Sequence, residues 1–416
     1  MILFSHPTGN ANVRHAALAL EEAGLLAEFW TCVSWNPQSP LNRLLPGKLR
    51  SQLCRRALPE FLRGKTHHVP WREAGRMLTS PLRIPSLTGR ENGLFSIDAV
   101  YRSLDRHVAQ RVAHPGKITG VYAYEDGASG TFAAAHARGL RCLYDLPIGY
   151  WRAAHAIYAE EMEREPQWAL TLTGTLDSPE KLARKDEELK LADAVFVASS
   201  FTKKTIESAP CASHKPVHVI SYGSPLSPPA AAAGRAGGKL KVLFVGGLGQ
   251  RKGLSYLLKA VALLPESVEL TLVGMKTVEN CAPLNDALKR HRWIPTLPNA
   301  EVLREMCRHD VFVFPSLFEG FGLVLLEAMS QGLPVITTEH TAGPDLITEG
   351  ESGFIVPIRS AQAIAEKLDL LARDSSLLSA MKTAARETAA RHSWEQYRAR
   401  LSAAVLAEMQ RDNHHR

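Results

Sequence analysis

The sequence predicts an α/β protein built of two doubly wound parallel-sheet domains that face each other across a cleft. Three observations carry this. The chain has 416 residues, enough for two domains of roughly 200 residues each. Short β-branched runs alternate with segments of helical periodicity in both halves, as in parallel sheets covered by helices. Between the halves, residues 223–238 are rich in Gly, Pro and Ala and read as a linker. The expected domains are therefore 1–222 and 239–392.

In the first half, strands are expected at 2–5, 29–33, 120–123, 141–144, 194–198 and 217–220, with helices including 12–23, 131–139 and 180–192. The last of these places Leu182 and Leu189 on one face and charges elsewhere, an amphipathic pattern. In the second half, strands at 241–245, 268–273, 311–314 and 334–337 alternate with helices at 254–264, about 300–307, and 323–331. In such sheets ligands bind beyond the carboxyl ends of the strands.

Composition is that of a globular protein, 45% hydrophobic and 22% charged. No apolar run approaches the ~20 residues of a membrane span. Residues 1–7 lack the basic n-region and long apolar stretch of a signal peptide and read as a first strand. The six cysteines (Cys32, Cys54, Cys142, Cys211, Cys281, Cys307) are scattered, without a CxxC or a His/Cys cluster at metal spacing. That pattern fits reduced thiols in a cytoplasmic protein and gives no reason to expect structural zinc.

Two constellations carry chemistry. The first is Gly246-Gly247-Leu248-Gly249-Gln250-Arg251-Lys252-Gly253, a glycine-rich turn between a strand and a helix. Glycines let the backbone approach a ligand, the helix start offers N–H groups, and Arg251 and Lys252 add two cations. This suits a diphosphate. A dinucleotide fingerprint fails because the third glycine falls one place late and the next strand ends at Val273-Gly274-Met275 with no acid for a ribose. A phosphate-loop NTPase fails because Gly253 follows Lys252 where Ser or Thr is required. A plain loop with a solvated Arg-Lys pair remains the alternative.

The second runs from Phe314 to Met329. A strand ends at Pro315, a loop carries Glu319, Gly320, Phe321 and Gly322, and a helix begins at Leu323 with Glu327 about one and a half turns in. The helix start can receive an anion. Glu327 lies among apolar residues, where a lone carboxylate is costly unless satisfied. Either it bonds nearby backbone, or its two oxygens accept the hydroxyls of a ribose. Glu319 would repel a phosphate at that helix start and is better placed to accept from sugar hydroxyls.

The run Glu319-Gly-Phe-Gly-Leu, four residues, then Glu327-Ala-Met resembles the glutamate-x7-glutamate motif of family 4 of the retaining glycosyltransferases, which have the GT-B fold. The segments 246–253, 331–336, 342–347, 353–357 and 392–395 are similar to that family's in the same order. The resemblance implies two Rossmann-like domains and a donor nucleotide sugar held mainly by the second. Glu327 would take the ribose, Arg251 and Lys252 the diphosphate, and Glu319 the donor sugar. Gly247, Gly320, Phe321, Gly322 and Leu323 would complete the donor site. A final helix from about residue 393 onward would cross back onto the first domain.

The first half matches less tightly. His6 and the loop through Gly9 and Asn10 sit where the family has a glycine-rich loop facing the cleft, and a His there is as often structural as catalytic. Where many members have a His-Asp pair, this chain reads Tyr144-Asp145, so the histidine's role does not carry over. Asp145, Tyr150, Trp151 and Arg152 are the candidate replacements, with core aromatics as the alternative for Tyr150 and Trp151. Glu125 and Asp126 either orient acceptor hydroxyls or cap the helix that begins near Ser129.

The expected function is transfer of a hexose-type sugar from a nucleoside diphosphate sugar to a hydroxyl acceptor, a glycan, a lipid-linked molecule or a small molecule. No pair of carboxylates facing across a scissile bond is identifiable, so a double displacement has no obvious nucleophile. The resemblance implies front-face substitution with retention. Arg251, Lys252 and the helix start at Gly322 would stabilise the leaving phosphate. No Asp-x-Asp motif is present, and neither a metal nor another cofactor is expected. The rivals are a nucleotide-sugar epimerase on the same architecture and a non-catalytic sugar-nucleotide-binding protein.

Net charge is +7, but residues 41–90 hold 11 Lys/Arg against Glu60 and Glu73 and so exceed that total alone. Within 41–63, leucines 45, 49, 53, 58 and 62 recur among the basic residues, interrupted by Pro46 and Pro59. This stretch either contacts anionic membrane or packs its leucines inward beneath solvated arginines. Nucleic acid is not an expected partner, since no stacking aromatic interleaves these charges before Phe61.

Overall fold

The computed structural model describes residues 1–43, 47–54, 56–79, 84–207, 209, 212, 214–225 and 238–411. Cys211, Leu45, Pro46 and most of the 223–238 linker lie outside these.

Two all-parallel sheets account for the architecture. The first contains β1 (Ile2–Ser5), β2 (Leu26–Thr31), β3 (Thr66–His68), β4 (Gly120–Tyr124), β5 (Arg141–Leu146), β6 (Ala194–Val197) and β7 (Val217–Val219), in the order β3-β2-β1-β4-β5-β6-β7. The second contains β8 (Leu240–Val245), β9 (Val268–Val273), β10 (Arg292–Ile294), β11 (Val311–Phe314), β12 (Val335–Thr338) and β13 (Gly353–Val356), in the order β10-β9-β8-β11-β12-β13. Strand order reverses between β1 and β4 in one sheet and between β8 and β11 in the other. A doubly wound sheet opens a ligand crevice at such a point, beyond the carboxyl ends of its strands.

The inner strands are nearly continuous apolar runs buried on both faces, as helix-covered parallel strands must be. β2 begins three residues earlier than the sequence indicated, because Leu26 pairs with Ile2 and Phe4 with Phe29. β3, with the polar sequence Thr-His-His, and β10 are three-residue edge strands that the sequence pattern did not show.

The chain crosses between domains at two adjacent points. Gly223 packs on Trp394 so closely that a Cβ would lie 2.5 Å from the Trp394 backbone, and the Ser224 amide donates to the His392 carbonyl at 2.7 Å. The last helix, Trp394–Gln410, is capped by Ser393 and lies on helix Ala11–Glu22 of the first domain. Trp394 stacks on His15 at 4.1 Å, and the buried Glu408 pairs with Arg141 (3.0 Å) and His218 (2.9 Å).

In the basic segment, Leu58 and Leu62 are buried in the first-domain core, so neither faces outward toward a membrane. Their inward packing is the second of the two readings of that stretch. No helix among the described residues is long and apolar enough to cross a membrane.

Candidate donor site

A cavity of about 1010 Å³ opens at the β8/β11 switch point. Its lining includes Gly247, Arg251, Lys252, Glu319, Phe321, Gly322, Leu323 and Glu327 from the second domain.

The loop after β8 places the cations. Gly246 has φ 156° and Gly253 φ 66°, a left-handed turn that starts helix Leu254–Ala262. A Cβ at Gly253 would stand 1.9 Å from the Pro315 carbonyl oxygen, so only glycine lets this loop approach the end of β11. The two loops are then tied together. The Leu317 amide (2.9 Å) and Ser316 Oγ (3.0 Å) donate to the Arg251 carbonyl, and Arg251 Nη1 donates to the Phe318 carbonyl at 3.0 Å.

Glu319 bridges both cations. Its Oε2 accepts from Arg251 Nη1 at 3.2 Å and is in contact with Lys252 Nζ, which also sits 4.7 Å above the Phe314 ring. Burial pushes the pKa of both cations down, and Arg251 pushes Lys252 down further. The Glu319 carboxylate works against that shift by favouring the charged amine. Two cations and one carboxylate leave a surplus positive charge at the cavity wall, which suits a phosphate.

Glu327 stands deeper along helix Leu323–Ser330, whose first residue follows Gly322 in the left-handed conformation (φ 82°). Burial raises its pKa, and Asn299 Nδ2 donates to it at 2.9 Å. Asn299 and the loop from Thr296 close that end of the cavity. The sequence reading missed this loop, since nothing local links Asn299 to a glutamate 28 residues on.

Gly320 is placed differently from the expectation. It does not line the cavity; it seats against the first domain, where a Cβ would lie 1.8 Å from the Pro147 carbonyl. Its own carbonyl accepts from Thr202 Oγ1 at 2.8 Å and from Ser199 Oγ at 2.5 Å. Its lack of a Cβ is what lets the two domains approach at this point.

On the first-domain side the cavity wall is Asn10, Asn12, Pro147 and Tyr222. Asn12 Nδ2 donates to the Tyr222 hydroxyl at 3.3 Å, and Tyr222 meets Phe321 edge-on at 5.1 Å. Among the described acceptor-side candidates, Asn10 lines this cavity and the others do not. His6 is buried, accepts the Thr8 amide on Nδ1 at 3.0 Å, and is pushed down to about 4 by burial, so its imidazole is neutral at pH 7. Gly9 packs near Leu58 and its carbonyl accepts from Arg14.

Asp145 points into the domain interior, where the Tyr122 hydroxyl donates to it at 2.6 Å and burial raises it to about 7. Tyr150, Trp151 and Arg152 converge on Asp186, with Trp151 Nε1 at 2.7 Å and Arg152 Nη2 at 2.5 Å. Glu125 forms a buried ion pair with Lys185 at 3.1 Å and does not cap the helix Ser129–His136. That helix start is satisfied from elsewhere. Glu188 accepts the Ala128 and Ser129 amides, and Asp105 accepts those of Gly130 and Thr131 at 2.8 Å. Tyr144 donates its hydroxyl to Glu188, on the far side of β5.

A smaller cavity of about 300 Å³ lies on another side of the same cations. Ile148, Tyr158, Thr171, Thr173 and Thr277 line it together with Arg251 and Lys252. Elsewhere, His136, Cys142 and Asp193 come within 4.8 Å of one another among the described residues, a grouping the sequence spacing did not suggest. Each is hydrogen bonded to the protein: His136 Nε2 to the Leu191 carbonyl, Asp193 to the Cys142 amide, and the Cys142 thiol to the Phe132 carbonyl.

Comparison with known proteins agrees with this geometry. Residues 230–388 match the family model for glycosyl transferases group 1. The capsular polysaccharide biosynthesis glycosyltransferase CapM of Staphylococcus aureus is 33% identical over 144 residues, which are 32% of this chain and 37% of that protein. The glycosyltransferase YqgM of Bacillus subtilis is 25% identical over 289 residues, 68% of this chain and 75% of that one. The chain thus spans about a third of the length of the first curated relatives it matches, 37% and 34%. Among solved structures, sucrose-phosphate synthase of Thermosynechococcus elongatus superposes with a TM-score of 0.64 at 17% identity, covering 98% of both chains. HepE of Anabaena, in complex with UDP, gives 0.62 at 15% identity, covering 98% of this chain and 99% of its own. The chain therefore has the GT-B fold, with a second domain related to the group 1 glycosyl transferases.

Proposed function

We propose that this protein is a retaining glycosyltransferase that moves a hexose-type sugar from a nucleoside diphosphate donor to a hydroxyl acceptor. The observation that carries the reading is the single cavity bounded by Arg251 and Lys252 near one wall and by Glu327 and Asn299 at another. Cations for a diphosphate and a carboxylate for a ribose diol stand at the switch point of one sheet, where a nucleotide binds in this architecture. HepE, a neighbour in fold, binds UDP. Asn10, Asn12 and Tyr222 form the first-domain wall from which an acceptor hydroxyl would approach. Arg251 and Lys252 would stabilise charge on the departing diphosphate, and retention follows from the likeness of the motifs to family 4. The test is a thermal-shift screen of nucleoside diphosphates and their sugars, followed by an assay of nucleotide release with and without added acceptors. Absence of any nucleotide-dependent shift would overturn the reading.

Replacing Glu327 by Ala should weaken UDP binding by roughly 1.5–3 kcal/mol, the worth of hydrogen bonds to a charged acceptor. Isothermal titration of the folded variant reads this directly, and wild-type affinity would remove Glu327 from the ribose site. We further propose that catalysis needs no divalent metal, since the cavity supplies two cations of its own for the leaving group. Nucleotide release should therefore persist in EDTA, and a strict requirement for Mg²⁺ or Mn²⁺ would refute the scheme.

A further inference from the structure

Six of the thirteen large apolar side chains exposed among the described residues fall between Phe61 and Ile97. Three of them gather at one place. Trp71 is 49% exposed, Leu94 45% and Ile97 61%. Helix Trp71–Thr79 is seated on Phe95, whose ring lies 6.0 Å from that of Trp71, and Arg72 donates to the Leu94 carbonyl. Trp71 and Leu94 are therefore joined through Phe95 and Arg72, and Ile97 follows Phe95 by two residues at the start of the next helix.

That surface is cationic. The Arg72 guanidinium lies 4.4 Å over the Trp71 ring. Burial lowers its pKa, and the nearby Arg106 and Arg102 lower it further, which places three like charges together. Three of the four acids between Trp71 and Arg106 turn inward, and the half-buried Glu91 accepts the Ser178 amide at 3.0 Å. Glu73 is buried between Arg56 and Arg76, Asp98 is buried against Arg184 and Arg102, and Asp105 caps a neighbouring helix. Arg102 still exposes 53% of its side chain, and Arg106 is exposed. Exposed indole and aliphatic tips ringed by arginines match a bilayer surface, where apolar groups enter the acyl boundary and cations meet anionic headgroups.

Its position in the fold matters as much. Trp71 follows the end of β3 at His68 by three residues. Helix Ile97–Val112 leads into β4 and so begins at the edge of the sheet where the strands' carboxyl ends open. Both features stand at the cleft rim of the first domain. The adjoining strip continues toward the cleft, with Arg90 pairing with Asp177 and donating to the Thr173 carbonyl, beside the exposed Leu176.

We propose that the surface formed by Trp71, Leu94 and Ile97 with Arg72, Arg102 and Arg106 docks the protein on an anionic lipid bilayer and holds the cleft mouth against it. The docking surface stands independently of the glycosyl-transfer reading. Taken with that reading, it favours an acceptor carried by lipid.

The test is co-sedimentation of the full chain with vesicles of phosphatidylcholine alone or mixed with phosphatidylglycerol, at low and physiological salt. Wild type should sediment with the mixed vesicles and not with the neutral ones. Ile97→Glu, which puts an acid where a helix start accepts one, should weaken the partition roughly tenfold without unfolding the protein. Arg106→Glu should weaken it about fivefold or more. No sedimentation with mixed vesicles at low salt would overturn the proposal. So would binding unaffected by either variant, which would move the contact to another surface, or self-association through this patch without vesicle binding.

Discussion

Replacing Arg251 and Lys252 together by Ala is expected to weaken UDP binding roughly 100-fold or more, since each provides a charge-assisted bond worth about 1.5–3 kcal/mol. The loss should exceed what two absent bonds explain. Glu319 Oε2 now pairs with both cations, so without them a mostly buried carboxylate faces the incoming diphosphate. A third variant separates the two contributions. Glu319→Gln added to the double variant should recover part of the affinity by removing the repulsion. Glu319→Gln alone should leave UDP binding at least as tight as wild type, because the carboxylate competes with diphosphate for the same cations. The same single variant should lose turnover with a UDP-sugar if Glu319 holds the donor sugar. Titration calorimetry with UDP, which lacks the sugar, distinguishes these roles. Wild-type UDP affinity in the double variant would remove both cations from the diphosphate site.

The gathering of Arg251, Lys252, Glu319, Gly322 and Glu327 at one cavity was legible in the sequence because their placement is local. Arg251 and Lys252 follow a strand end by a few residues, and Glu319, Gly322 and Glu327 occupy one loop and the helix it starts. Short spacing and glycine placement therefore carried the signal. The acceptor side was not legible because its side chains are decided by distant partners. Asp145 is turned inward by Tyr122, 23 residues away, and Tyr150 by Asp186, 36 residues away. Glu125 is claimed by Lys185, and the helix start that was the alternative to an acceptor role for it is satisfied by Glu188 and Asp105. The residues that do form the wall, Asn12 and Tyr222, are 210 positions apart and meet only in the folded chain. Gly320 shows the same limit within the donor motif itself. A glycine beside a helix start signals close approach, but the sequence does not say whether a phosphate or Pro147 is what approaches.

Close approach of the domains has one centre of unusual cost. Glu161, on helix Trp151–Arg164 of the first domain, is fully buried at 0% exposure. Three second-domain side chains converge on it: Gln250 Nε2 at 2.6 Å, the Tyr256 hydroxyl at 3.0 Å and Arg359 Nε at 2.8 Å. The Gln250 amide also donates to Thr171 Oγ1 at 2.8 Å, so the residue preceding Arg251 is held to the first domain at two points. The cation loop thus takes its position from both domains.

Glu161→Ala is accordingly expected to destabilise the protein by roughly 1–3 kcal/mol or more, because it strips the buried Tyr256 hydroxyl of its acceptor and leaves Arg359 only Glu160 and the Ile157 carbonyl, and Gln250 Nε2 only Ser255. Glu161→Gln should fall between wild type and Ala. Its remaining carbonyl oxygen still accepts, while its NH2 confronts donors. The effect should also reach the site: loosening Gln250 frees the loop that carries Arg251 and Lys252, so UDP affinity should fall in the same order as stability. Because two domains need not unfold as one unit, small-angle scattering of the folded variant provides a second reading, an increased radius of gyration as the interface opens. If Glu161→Ala keeps the wild-type denaturation midpoint, radius of gyration and UDP affinity, the carboxylate does not hold the domains together.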